Sequence, residues 1–212
     1  MAENLMIALY VTGFVVTSVG TALYVRVLWQ NDQATLRVAS QVAWLSANTV
    51  FMLTGTKMVA IFCGYSGALN LLIIVVSLLR QRHIWVRNQD LPCIVAVAAC
   101  LGGYFVYSEQ LMFVTLLAVL ANQVATWPTY QNAWAGGEKT IVMFMSVVAS
   151  SGAAAVSEAI LHGFSFIGMA GVLTAIAGNI TLTCLTLYRR LATVGATRSI
   201  PEALPELAGA SA

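Results

Sequence analysis

Apolar residues run in stretches of about 17 to 25, parted by short polar turns, through nearly the whole chain. Each stretch can cross, or nearly cross, a hydrocarbon core about 30 Å thick. Lipid offers no water to backbone N–H and C=O groups, so a crossing segment must satisfy them itself, as a helix, or within a closed barrel. The lengths are those of helices, and the chain is expected to be an all-α polytopic membrane protein. Charge agrees with this: only 8% of residues are Asp, Glu, Lys or Arg, and mean hydropathy is +0.84. A soluble chain carries about 25% charge.

Seven segments follow from the order of apolar runs and breakers. The first covers residues 5–29; it is too long for a signal-peptide core, lacks a cleavage pattern and is expected to remain. The second covers 38–54, and Gly55 with Lys57 breaks it from the third at 58–79. After the polar stretch 80–90, Pro92 opens the fourth, which ends near Tyr107; proline suits a first helical turn. Ser108 and Glu109 precede the fifth at 110–134, which contains Pro128. The sixth covers 140–160 and the seventh 166–188, and the tail 191–212 is expected to be a disordered cytoplasmic extension. With seven crossings, nine of the ten Lys and Arg fall on one side, and only Lys57 on the other. The positive-inside rule then puts the N-terminus outside and the C-terminus in the cytoplasm. No basic run is long enough to suggest a nucleic-acid partner; the partner implied is the bilayer.

Two halves of the chain correspond. A shift of 105 positions pairs Trp29 with Trp134, Thr35 with Thr140, Val42 with Val147 and Ser46 with Ser151. A shift of 109 pairs Ala68 with Ala177, Asn70 with Asn179, Leu78 with Leu187 and Arg80 with Arg189. Seven helices then divide as three, one and three: a first bundle at 1–79, a loop and linker helix at 80–107, and a second bundle at 108–190. An odd linker gives both bundles one orientation, as a parallel repeat about an axis along the membrane normal. Each asparagine precedes its arginine by ten residues, or about 15 Å of helix. If the arginines mark a membrane surface, both asparagines sit near the midplane.

Two three-helix units joined by a linker, an outside N-terminus, paired asparagines on helices 3 and 7 and a proline in helix 5 resemble the SWEET and PQ-loop sugar transporters. The run Trp127-Pro128-Thr129-Tyr130-Gln131-Asn132-Ala133-Trp134 resembles their "PQ" turn with Thr for Gln, and also the Pro-Thr signature of small bacterial membrane proteins. The resemblance implies a bacterial inner-membrane location, substrate binding by Asn70 and Asn179, and a hinge at Pro128. The chain departs from the family pattern where Leu23 stands opposite Pro128 and where helices 2 and 6 lack proline.

A carboxamide offers donors and acceptors without charge, which suits a hydroxylated neutral solute; a single asparagine reads as interhelical glue, whereas a repeat-related pair brought together near the axis points to a cavity. Gln41, Trp44 and Asn48 share one face of helix 2. Trp44 is a candidate wall for a sugar ring, with space opposite at Ala149 and Ser150, or else an interfacial anchor. Pro128 frees a carbonyl near Val124, and Asn122 can face the same cavity. Thr17 is the counterpart of Asn122. The candidate substrate-binding set is therefore Asn70, Asn179, Trp44, Asn48 and Asn122, with no catalytic residue, metal or cofactor. Cys63, Cys93, Cys100 and Cys184 read as small packing residues. Every acidic residue falls in a turn, tail or helix end, and the proton relays of ion-coupled pumps need an ionisable group inside the membrane. Facilitative transport of a small neutral solute, a sugar above all, is the expected function, without enzymatic activity. The alternatives are a non-transporting receptor or organising protein of the same fold, and a proton-linked amino-acid transporter. A homo-oligomer is allowed by all three.

Overall fold

The computed structural model describes residues 2–30, 38–80, 90–135 and 141–198. Seven helices account for them: α1 (Ala2–Gln30), α2 (Val38–Thr54), α3 (Lys57–Arg80), α4 (Leu91–Tyr107), α5 (Leu111–Trp134), α6 (Ile141–His162) and α7 (Phe166–Arg198). Five of these, α1, α3, α5, α6 and α7, contain spans long and apolar enough to cross a membrane. α2 and α4 have 17 residues each, the lower limit for a crossing. The protein is an all-α integral membrane protein. α1 starts three residues earlier than expected and α6 ends two residues later, and the largest departure is at the end of α7. α7 does not stop at Tyr188 but continues to Arg198, so residues 191–198 are helical; 199–212 lie outside the described residues.

Local chemistry explains where the helices stop. Gly55 turns α2 into α3: its N–H donates to Phe51 O at 2.8 Å, and the next N–H, of Thr56, reaches Gly168 O on α7 at 3.4 Å. Gly163 follows α6 with φ +82, a left-handed conformation that glycine adopts without a Cβ penalty. Ser165 then caps α7, its Oγ accepting from Gly168 N–H at 3.3 Å. Pro128 does not end α5, which runs through it to Trp134.

The packing has the symmetry of a repeat. α3 packs on α1 and α2, and α7 packs on α5 and α6. Between the halves α1 meets α6 and α2 meets α5, α3 touches α6 as α7 touches α2, and α3 meets α7. Exchanging α1 with α5, α2 with α6 and α3 with α7 maps this set onto itself. α4 stands apart from the exchange, against α5 and α2.

Exposure gives the register. Under the shift of 109, all eight positions 70–77 on α3 match 179–186 on α7 as buried, half-buried or exposed. The shift of 105 also holds between α1 and α5, where 10 of the 16 positions 10–25 match. It fails between α2 and α6, where it matches 2 of the 12 positions 42–53, while a shift of 107 matches 9. The pairings Val42 with Val147 and Ser46 with Ser151 are therefore corrected to Val42 with Ala149 and Ser46 with Ala153. Apolar and small residues recur too often in membrane helices for identity to fix a register, whereas burial marks which face meets a neighbour.

Small residues bring the halves together. A Cβ built on Gly13 would lie 3.1 Å from Ser150 Cα, so α1 and α6 approach closely there. Thr17 lies one turn on, its hydroxyl donating to Ser150 Oγ and lying 3.3 Å from Ser146 O. At α2–α5 the small buried residues are Ala43 and Ala125, with Ser40 Oγ donating to Ala125 O. Lipid supplies no hydrophobic force between helices, so close backbone approach and interhelical hydrogen bonds take that role. The outer surface is correspondingly apolar: Leu71, Leu72, Val75 and Leu79 of α3 are all exposed.

Candidate functional site

Asn70 lies within two residues of the middle of the span Lys57–Leu79, Asn179 of Phe166–Thr193, and Asn122 of Leu111–Gln131. Asn48 and Trp44 lie within two residues of the middle of α2. Each of the five candidate residues thus lies near the middle of its own apolar segment.

All five also lie on faces turned into the bundle. Asn70 is half-buried on the stripe of α3 that contains buried Gly67, Ile73, Ile74 and Ser77, with Leu71 and Leu72 on the opposite, exposed side. Asn179 has the same setting on α7, among Leu182, Thr183 and Thr186. A side chain one turn away in sequence is a neighbour on the same helical face, so both carboxamides point toward protein rather than lipid. α3 and α7 are in contact, but no hydrogen bond joins the two asparagines among the described residues. Asn179 Nδ2 donates to its own Ala175 O at 2.8 Å. The Asn70 carboxamide makes no hydrogen bond among the described residues.

α2 supplies the next members. Gly67, one turn before Asn70, has no side chain to hold α2 away; a Cβ there would stand 3.8 Å from Asn48 Cβ. Asn48 is buried to 9% exposure and so lies beside α3 near Asn70. Gln41, Trp44 and Asn48 share an inward face as their spacing predicts, and Gln41 Oε1 is buried without a partner among the described residues. Trp44 is tied to α5: its Nε1–H donates to Thr126 Oγ1 at 3.0 Å, and that hydroxyl donates to Asn122 O at 2.7 Å. The space expected opposite Trp44 is not where the sequence pointed. Ala149 is exposed and Ser150 faces Thr17 on α1, while α2 packs on α3, α4, α5 and α7.

Pro128 leaves Val124 O without its usual donor four residues on. Cys93 of α4 is the nearest donor to it among the described residues, Sγ 3.9 Å from the oxygen, a weak contact even for a thiol. Cys93 is therefore more than a small packing residue. Cys63 and Cys100 are buried as expected, whereas Cys184 is exposed. At one end of α5, Trp134 stacks on Tyr188 with centroids 6.2 Å apart, and the Arg189 guanidinium lies 5.5 Å from the Trp134 ring centre. Aromatic and basic side chains together are characteristic of a membrane–water boundary.

One of the acids expected at helix ends stands in an unexpected setting. Glu158 is near the end of α6, as its position implies, but it is 0% exposed. Neither carboxyl oxygen has a hydrogen-bond partner among the described residues. Thr126, Ser40 and Cys93 are not marked by the sequence either; a proline that frees a carbonyl signals that some donor is needed, but not which helix brings it. Comparisons with protein-family models, curated proteins and solved structures found no match.

Proposed function

We propose that this protein is a carrier of the SWEET and PQ-loop kind, moving a small neutral polar solute, a sugar first among them, by alternating access between two three-helix bundles. One observation carries the reading. Two repeat-related carboxamides stand at mid-helix depth on inward faces of adjoining helices, and one of them has no protein hydrogen bond among the described residues. At that depth an amide left unsatisfied costs free energy, and the hydroxyls of a neutral solute are complementary to it. Asn48 beside Gly67 adds a further amide near Asn70, and Trp44 and Asn122, linked through Thr126, are the proposed aromatic wall and further polar contact. Pro128 is the proposed hinge, because a helix with one missing backbone bond bends most readily there. The proposed orientation is N-terminus outside and C-terminus in the cytoplasm of a bacterial inner membrane, from the partition of positive charge.

The test is uptake of labelled sugars by proteoliposomes. Asn70→Ala and Asn179→Ala are each expected to lower uptake at least tenfold, the loss of roughly 1.4 kcal/mol of binding, with the protein still folded by circular dichroism. Undiminished uptake by the double variant would sink the proposed site, and no uptake of any sugar would favour a receptor or organising protein.

A further inference from the structure

Gln41 is 4% exposed, and its Oε1 is buried without a hydrogen-bond partner among the described residues. It lies one turn before Trp44 and two turns before Asn48 on the same face of α2. Contacts on either side fix where that face points. Ser40 donates to Ala125 O and Trp44 to Thr126, both on α5, while Leu45 and Asn48 stand against Gly67 of α3. Gln41 therefore points between α3 of the first bundle and α5 of the second. α2 and α3 run antiparallel from the turn at Gly55. Seven residues back from Asn48 on α2 and seven on from Gly67 on α3 bring Gln41 level with Ile74, one turn past Asn70.

The repeat supplies an internal control. Under the shift of 107, Gln41, Trp44 and Asn48 correspond to Val148, Ser151 and Ala155 on α6. One half of the molecule fills this face with aliphatic and small side chains, so the fold itself does not require amides there. An amide shut away from water without a partner lowers stability, and its neighbours do not relieve Gln41. Ile74 is apolar, and Ser77, Ser40 and Thr126 direct their hydroxyls to Ile73 O, Ala125 O and Asn122 O. A buried polar group left unpaired in the folded protein calls for a partner from elsewhere.

We propose that Gln41 is a further solute-binding residue, which hydrogen-bonds one hydroxyl of a pyranose lying against Trp44; this rests on the carrier reading above. Along α2 the aromatic ring is flanked by two amides, Gln41 about 4.5 Å from Trp44 on one side and Asn48 about 6 Å on the other, measured along the axis. A sugar hydroxyl both donates and accepts, so it satisfies the carboxamide whichever end it meets. α2 contains no charged residue, which suits a neutral sugar and gives the ammonium or carboxylate of an amino acid no partner on this face. The junction of α2 with α5 lies between the two bundles, where alternating access opens the protein. While the junction is closed Gln41 is dry and unpaired, and opening admits the solute to it. Selectivity follows from the same physics. An analogue without the hydroxyl leaves the amide unpaired, and a site built to hydrogen-bond a hydroxyl rejects such analogues strongly.

The test uses Gln41→Met, which keeps the length of the side chain and removes the amide. The probe is whichever of labelled glucose, galactose and mannose wild-type proteoliposomes take up fastest, with its monodeoxy analogues as competitors. In wild type one analogue is expected to compete at least about tenfold less well than the parent hexose. Gln41→Met should weaken the parent by at least about tenfold and leave that analogue its equal, whereas a residue acting only through the fold weakens both alike. Without sugar the variant should melt no lower than wild type, because an unpaired buried amide has given way to an apolar side chain. Discrimination equal to that of wild type overturns the inference and leaves the carrier reading standing. A lower melting temperature, or a variant that does not fold, also overturns it, since the amide would then serve the fold. If none of the three hexoses enters wild-type proteoliposomes, the carrier reading falls and the inference falls with it.

Discussion

Gly171 offers a sharp test of how closely α7 is fitted against the first bundle. A Cβ at this position would lie 2.7 Å from Cys63 Sγ on α3 and 3.0 Å from both Cβ and Cγ of Phe51 on α2. Phe51 Cβ is held by its own backbone and cannot swing aside, so Gly171→Ala forces helices apart. Overpacking of this kind costs about 1–3 kcal/mol, and three contacts at or below 3.0 Å argue for the upper part of that range. The helix gains about 0.5–1 kcal/mol from replacing glycine by alanine, which leaves a net loss of about 2 kcal/mol. Gly152 is the control: nothing lies within 4 Å of its built Cβ, so Gly152→Ala keeps the helical gain alone. The two variants should differ by about 3 kcal/mol, or roughly 6–12 °C in melting temperature at about 2–4 °C per kcal/mol. A fluorogenic maleimide reads this directly, because Cys63, Cys93 and Cys100 are buried until the bundle opens. Removing Sγ with Cys63→Ala should restore part of the Gly171→Ala loss. Melting of the two glycine variants within about 2 °C of each other would refute the close fit of α7 on α2 and α3.

Three further outcomes follow from the hydrogen bonds around α5. Pro128→Ala supplies the missing N–H to Val124 O, so the melting temperature should hold or rise while sugar uptake slows; a lower melting temperature with unchanged uptake would contradict the hinge. Cys93→Ala removes the weak thiol contact with the Val124 carbonyl and should cost less than about 1 kcal/mol from that contact, a contribution expected to shrink in the Pro128→Ala background. Trp44→Phe keeps an aromatic ring but loses the bond to Thr126, and a double-mutant cycle with Thr126→Val should return a coupling of about 0.5–1 kcal/mol. A coupling of zero would mean that Trp44 is held by ring packing alone.

Much of the architecture is legible without coordinates, for a physical reason. In lipid, each crossing segment must close its own backbone hydrogen bonds, so hydropathy along the chain reads out helices almost directly. Thus α2 has the bounds its apolar run predicts, and α3, α4 and α5 agree to within a residue at each end. The tail of α7 does not, because past Arg190 the helix leaves the apolar run while nothing yet breaks it. The paired asparagines are legible too, since a polar residue repeated at one depth is conspicuous against an apolar background.

The tertiary structure decided what depends on neighbours. Sequence identity suggests one register for both α1–α5 and α2–α6; the faces in contact show 105 for the first and 107 for the second. Val124 O is predictable as an unpaired carbonyl, but its thiol partner comes from α4, 31 residues away in sequence. Glu158 is the clearest case. By position it is an acid one turn from the end of a helix, a place where such residues usually reach water. Its burial depends on α6 turning that face toward the first bundle rather than toward solvent, and hydropathy, being a property of one segment at a time, carries no record of which face a distant helix will cover.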